Sequence, residues 1–140
     1  MTPEVLLDAG PLVAYLDRRD SHHEWAKEQF AALRAPVLTN EPVLAEASHL
    51  LRKVHGAKAA VIAFVRSGGV VVPFRVQDHA AEVESLLRKY DSVPMSLADA
   101  CLARMAELQP GSKVLTLDAH FSVYRIHGRR VIPTIMPPRS

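Results

Sequence analysis

Apolar positions along this chain fall into short continuous runs separated by stretches of helical period. Val5, Leu6 and Leu7 form an unbroken run that ends at Asp8, and Gly10 and Pro11 mark a strand handing over to a helix. Leu12, Val13 and Leu16 fit a short helix, and the polar stretch 17–21 separates it from a second helix predicted over 22–33 and closed by Pro36. Val37 and Leu38 form a short strand. From 41 to 55 apolar residues fall at 43, 44, 47, 50, 51 and 54, which predicts a helix stopped by Gly56. Another helix is expected over 57–65.

The second half repeats the alternation. Val70, Val71 and Val72 are a β-branched run of the kind found in buried parallel strands, and Pro73 stops it. A helix over 77–90 turns Val83, Leu86 and Leu87 inward, the loop 91–94 follows, and a helix over 96–108 ends before Pro110 and Gly111. Val114, Leu115, Thr116 and Leu117 make a fourth strand ending at Asp118, and Val131 with Ile132 supplies a less marked fifth. Strands alternating with helices predict right-handed βαβ crossovers, hence an α/β domain whose mainly parallel sheet of about five strands is covered on both faces. Ligands of such sheets bind outside the carboxyl ends of the strands, where Asp8 and Asp118 both stand.

Composition narrows the class. A length of 140 residues matches one domain with one core, and 49% hydrophobic against 23% charged residues is the balance of an ordinary globular protein. Cys101 is the only cysteine, which excludes an intrachain disulfide and a closed cysteine zinc site and points to a reducing, cytoplasmic setting. The opening residues lack the pattern of a signal or transit peptide, and no apolar run approaches the roughly 18 to 20 residues that cross a bilayer, so no membrane association is expected. A net charge of +2 permits a polyanionic partner without demanding one.

The chemistry lies in the acids. Asp8, Asp99 and Asp118 each have a local structural reading: Asp8 as a helix cap, Asp99 as the acid of a capping box begun by Ser96, Asp118 as a turn or cap residue. Glu46 is harder to place on a solvated face, because Val43 and Leu50 align it with the apolar stripe of its helix. Its structural alternative is a glutamate at the stripe's edge that reaches water or an arginine. Asp99 borders an apolar face in the same way, beside Met95, Leu102 and Ala103. Taken together, two of these acids follow strands and two sit on helices that an α/β fold packs against those strands. Anionic oxygens brought close without partners repel and protonate, so their convergence makes sense around a divalent cation. All-oxygen ligands favour Mg²⁺ or Mn²⁺, and such an ion supports phosphodiester hydrolysis.

Four strings appear in order: Leu-Leu-Asp-Ala-Gly-Pro-Leu-Val-Ala-Tyr-Leu-Asp from Leu6, Val-Leu-Ala-Glu-Ala from Val43, Ser-Leu-Ala-Asp-Ala from Ser96, and Leu-Thr-Leu-Asp-Ala-His-Phe from Leu115. In order and spacing they resemble the PIN domain, over nearly the whole chain. The resemblance implies a PIN-like three-layer α/β/α domain over 1–136 with a frayed tail at 137–140, and Mg²⁺- or Mn²⁺-dependent cleavage of RNA. It puts the metal ligands and catalytic acids at Asp8, Glu46, Asp99 and Asp118, and Thr116 and Ser96 are available beside them as hydrogen-bond donors. Many relatives carry a hydroxyl residue directly after the first aspartate, whereas this chain has Ala9. Small stand-alone members resemble VapC-type toxins, which implies a cognate antitoxin, an RNA substrate and a homodimer.

Other signals weigh less. His23 and Glu24 are followed by Lys27 rather than the second histidine of a zincin helix, and Cys101 has no acid–base partner motif. His120 stands close enough to Asp118 to merit a test, and Arg18, Arg19, Arg52, Lys53, Arg125, Arg129 and Arg130 are available for phosphate contacts. Two rival functions are a phosphatase using Asp8 as a nucleophile and a PIN-like scaffold that binds RNA or protein without cutting.

Overall fold

The computed structural model describes residues 4–138. The first apolar run becomes β1 (Val5–Leu7), and along the chain follow α1 (Ala9–Leu16), α2 (His23–Ala32), β2 (Val37–Leu38), α3 (Glu41–Leu50), α4 (Ala57–Arg66) and β3 (Val70–Val71). Then come α5 (Ala80–Lys89), α6 (Leu97–Leu108), β4 (Lys113–Leu115), β5 (Arg125–Ile126), β6 (Arg130–Val131) and β7 (Thr134–Ile135). The main sheet has five strands in the order β3-β2-β1-β4-β7, every neighbouring pair parallel, with Leu6 facing Leu38 on one side and Val114 on the other.

Chain direction explains where the ligand cleft lies. From β1 the chain steps outward to β2 and β3, then returns past β1 to β4. Right-handed crossovers put helices of the outward steps on one face and those of the return on the other. Accordingly α1 packs on α2, α3 and α4, and α5 packs on α6, while α3 also packs on α6 and joins the two groups. The reversal falls between β1 and β4, the switch point at which the carboxyl edge of an open sheet parts its loops and leaves a crevice.

The core fills from β1 and α6. Leu6, Leu7, Val37, Val70, Val114 and Leu115 are buried on the sheet, and α6 buries Ala98, Ala100, Cys101, Leu102, Ala103, Met105 and Ala106 against it. Its small alanines let the helix backbone lie close to the strands, which brings its amino end to the carboxyl edge of the sheet. No helix among the described residues is long and apolar enough to cross a membrane.

Two expectations change. The helix predicted over 41–55 stops at Leu50. Beyond it the chain tightens into turns in which the Arg52 N–H donates to the His49 carbonyl (3.2 Å) and the Val54 N–H to the Leu51 carbonyl (2.9 Å), before Gly56 turns it at φ 75°. The fifth strand of the parallel sheet is Thr134–Ile135 and not the Val131–Ile132 run. Arg130–Val131 instead pairs antiparallel with Arg125–Ile126, in a separate two-stranded ribbon. Pro133 explains the shift, because it lacks an N–H yet its carbonyl accepts from Val114 (2.9 Å), which suits the start of an edge strand. Of the expected frayed tail at 137–140, residues 139–140 lie outside the described residues.

Candidate active site

Asp8 leaves β1 at the switch point, its N–H donating to the Leu115 carbonyl (3.0 Å), so the β1–β4 ladder runs up to the site. Its backbone is extended and it caps α1: Oδ1 accepts from the Ala9 N–H at 2.8 Å. The other oxygen, Oδ2, accepts from the hydroxyl of Thr116 at 2.7 Å. Thr116 is fully buried just past β4, and its Oγ1 in turn accepts the Asp118 N–H at 2.9 Å. One threonine thus holds the first acid and the backbone of the last. Gly10 allows this closeness, since a Cβ there would sit 3.2 Å from Cβ of Leu117.

Asp118 caps a short 3₁₀ turn over Ala119–Ser122, its Oδ1 accepting from the His120 N–H at 2.9 Å and standing 2.8 Å from His120 Nδ1. Asp99 sits at the third position of α6 in a capping box: Ser96 Oγ accepts from the Asp99 N–H (3.0 Å) and Asp99 Oδ2 accepts from the Ser96 N–H (3.2 Å). The same Oδ2 accepts the phenolic hydroxyl of Tyr124 at 3.1 Å. Capping therefore uses only part of each carboxylate. Asp99 Oδ1, Asp118 Oδ2 and both oxygens of Glu46 have no hydrogen-bond partner among the described residues.

Glu46 reaches this edge because α3 is pinned at its start. Asn40, fully buried, caps α3 by accepting from the Val43 N–H (2.9 Å), and its amide reaches Met105 Sδ on α6 (3.6 Å). The neighbouring Thr39 donates its hydroxyl to the Leu7 carbonyl at 2.8 Å, tying the start of α3 to β1.

All four acids line one cleft of about 330 Å³, together with Ala9, Gly10, Leu50, Pro94, Ser96 and Leu117. Larger hollows, about 490 Å³ around Tyr15, Phe30 and Phe64 and about 550 Å³ beside α5, gather no comparable group of acids. Electrostatics set the cleft apart. Burial, opposed by the Thr116 and Ala9 hydrogen bonds and reinforced by the charges of Asp99 and Glu46, leaves the Asp8 carboxyl pushed up to about 6. Desolvation outweighs both hydrogen bonds and the favourable α1 amino end. Glu46 is raised by burial and then by the charges of Asp99 and Asp118, and Asp99 is raised chiefly by burial. Burial and then the nearby Asp99 charge hold the Tyr124 phenol well above its ordinary value, so it stays a donor.

No lysine or arginine pairs with any of these carboxylates among the described residues. Nor do three His, Cys, Asp or Glu side chains there already form a closed metal-ligating group; the acids border a common cleft instead of meeting at one point. The donor set nevertheless fits a hard divalent cation. It is all oxygen, several of those oxygens are free, and their raised proton affinity marks an uncompensated charge that a cation relieves.

Three contributors went unread in the sequence. Tyr124 lies outside the acid motifs, and Thr39 and Asn40 precede the expected start of α3; the Asn-Glu-Pro step at 40–42 is a cap signal that identifies Asn40 in retrospect. None of the basic residues proposed for phosphate lines the cleft. The Arg125 guanidinium is spent internally, Nη1 donating to the carbonyls of Ser122, Val123 and Tyr124. Cys101 is fully buried with its thiol pushed up to about 11, the state of a packing residue.

Comparison with known proteins agrees with this fold. A family model described as the PIN domain matches residues 5–126. Among solved structures, Mycobacterium tuberculosis VapC20, a sarcin–ricin-loop-cleaving toxin, superposes with a TM-score of 0.79 at 25% identity, covering 91% of this chain and 99% of that one. A search of curated protein sequences gives no significant match. The chain therefore belongs to the PIN domain family, with the fold of a VapC-type member.

Proposed function

We propose that this protein is a Mg²⁺- or Mn²⁺-dependent endoribonuclease, the toxin of a toxin–antitoxin pair, active as a homodimer and held in check by a cognate antitoxin protein. The observation that carries the reading is that Asp8, Glu46, Asp99 and Asp118, from four distant segments, line one cleft at the sheet's switch point, with no lysine or arginine among the described residues paired to them. PIN membership and the likeness to an RNA-cleaving toxin support it.

These acids would hold the cation, which when bound supplies a Lewis acid for a phosphate oxygen and lowers the pKa of water for attack on phosphorus. The chain's own residues do the rest. Thr116 keeps Asp8 and Asp118 side by side, the capping box fixes Asp99, and the pinned start of α3 delivers Glu46. Because Asp8 already accepts two hydrogen bonds and is 5% exposed, it is poorly set to attack phosphorus itself, which weighs against an aspartyl-phosphate route.

The test is incubation of the purified chain with a sarcin–ricin-loop hairpin, transfer RNA and unstructured RNA, with Mg²⁺ or Mn²⁺ or with chelator. Cleavage of at least one RNA that chelator stops and added Mn²⁺ restores is the expected result. Retarded but intact RNA across the whole set, with either metal, would favour the non-cutting scaffold.

A further inference from the structure

We infer that Tyr124 is a positioning residue of the cleft: its hydroxyl fixes Asp99 through Oδ2 and leaves Oδ1 as the oxygen open to a cation. The inference rests on the divalent-cation reading above.

Without Tyr124, the only other hydrogen bond to the Asp99 carboxylate among the described residues is the one from the Ser96 N–H at 3.2 Å, at the long end of the useful range. One such bond tolerates rotation of the carboxylate; a second donor, from the segment that follows Asp118, restricts it. Tyr124 is itself restrained. It is fully buried, its ring meets Tyr90 and Phe121 edge-on at 5.2 Å each, and its N–H donates to the His120 carbonyl at 3.3 Å. The segment from Asp118 to Tyr124 is a single 3₁₀ turn and its exit, so one short stretch supplies one acid of the cleft and orients another. Groups that orient metal ligands from behind are typically worth about 10- to 100-fold in metal affinity or activity.

Tyr90 provides the internal control. It shares the aromatic cluster, and its hydroxyl accepts the Arg125 N–H at 2.8 Å and does not touch the acids. In a Mn²⁺ titration followed by electron paramagnetic resonance, Tyr124→Phe is expected to bind Mn²⁺ about tenfold more weakly than wild type, and Tyr90→Phe like wild type. Excess Mn²⁺ should restore RNA cleavage by Tyr124→Phe. Equal affinity of Tyr124→Phe and wild type, or equal weakening by both variants, overturns the inference. A second measurement needs no stable variant: with ¹³Cζ-labelled tyrosine in the wild-type protein, Mg²⁺ should move the Tyr124 resonance more than those of Tyr15 and Tyr90. An unmoved Tyr124 signal in protein that binds Mg²⁺ overturns the role of Tyr124 alone. Wild-type protein that takes up neither ion overturns the cation reading and the inference together.

Discussion

Asp99→Asn is expected to lower metal-dependent RNA cleavage by about a thousandfold while leaving the fold intact. The amide oxygen of asparagine can accept the bonds that Asp99 Oδ2 now takes from Ser96 and Tyr124, so the amino end of α6 keeps its cap. What disappears is a negative charge in a cleft whose proposed task is to hold a dication. Losing several kcal/mol of transition-state charge stabilisation, at about 1.36 kcal/mol per factor of ten, corresponds to roughly three powers of ten. The check is single-turnover cleavage at saturating Mn²⁺, with circular dichroism and thermal unfolding to establish that the variant is folded. Activity within a few-fold of wild type would remove Asp99 from the chemistry.

The second large effect concerns stability, and it has the opposite sign to the first. A carboxyl group whose pKa is higher in the folded state than in the unfolded chain binds its proton more tightly when folded. Its contribution is most favourable at low pH and is lost as pH rises from the unfolded value through the folded one. For Asp8 that window runs from 3.8 to about 6. At about 1.36 kcal/mol per unit, the metal-free protein at pH 7.5 is expected to be less stable by about 3 kcal/mol than it would be with Asp8 unperturbed. Asp8→Asn removes that cost but rearranges one hydrogen bond, worth about 1 kcal/mol. The variant should therefore be about 1 to 2 kcal/mol more stable than wild type at pH 7.5 in chelator, with the advantage gone by pH 4. Urea unfolding across that pH range, with and without Mn²⁺, reads both signs: Mn²⁺ should stabilise wild type and not the variant. A stability difference that stays constant from pH 4 to 7.5 would mean that Asp8 carries no buried charge.

The two effects come from one cause. Burying acids without cations makes the cleft a reservoir of unfavourable charge, which destabilises the metal-free fold and favours a divalent ion. A fold optimised for stability alone would place asparagine or an apolar residue at Asp8.

Much of this was legible from residue order. Asp8 and Asp118 stood at the ends of apolar runs, and the reversal of an α/β sheet puts such ends side by side. Glu46 and Asp99 stood on apolar stripes, where the period of the helix turns a side chain toward the sheet. Less legible were the features that depend on tertiary packing. Nothing local marks Tyr124 as the donor to Asp99, because the two meet only when the turn after β4 folds over the start of α6. Arg125 looked available for phosphate by composition, yet its guanidinium closes the turn in which it lies. The exchange of Val131 for Thr134–Ile135 at the sheet edge follows from two-residue strands, too short for periodicity to separate. Capping and site geometry were not exclusive alternatives, since Asp8, Asp99 and Asp118 all cap through one part of the carboxylate and line the cleft with the rest.

The most direct measurement is diffraction from crystals grown in Mn²⁺, with data collected near the manganese absorption edge. An anomalous peak in the cleft, bonded to carboxylate oxygens of Asp8 and at least two of Glu46, Asp99 and Asp118, is the predicted result. Manganese bound elsewhere, with the cleft filled only by water at high Mn²⁺, would contradict the account.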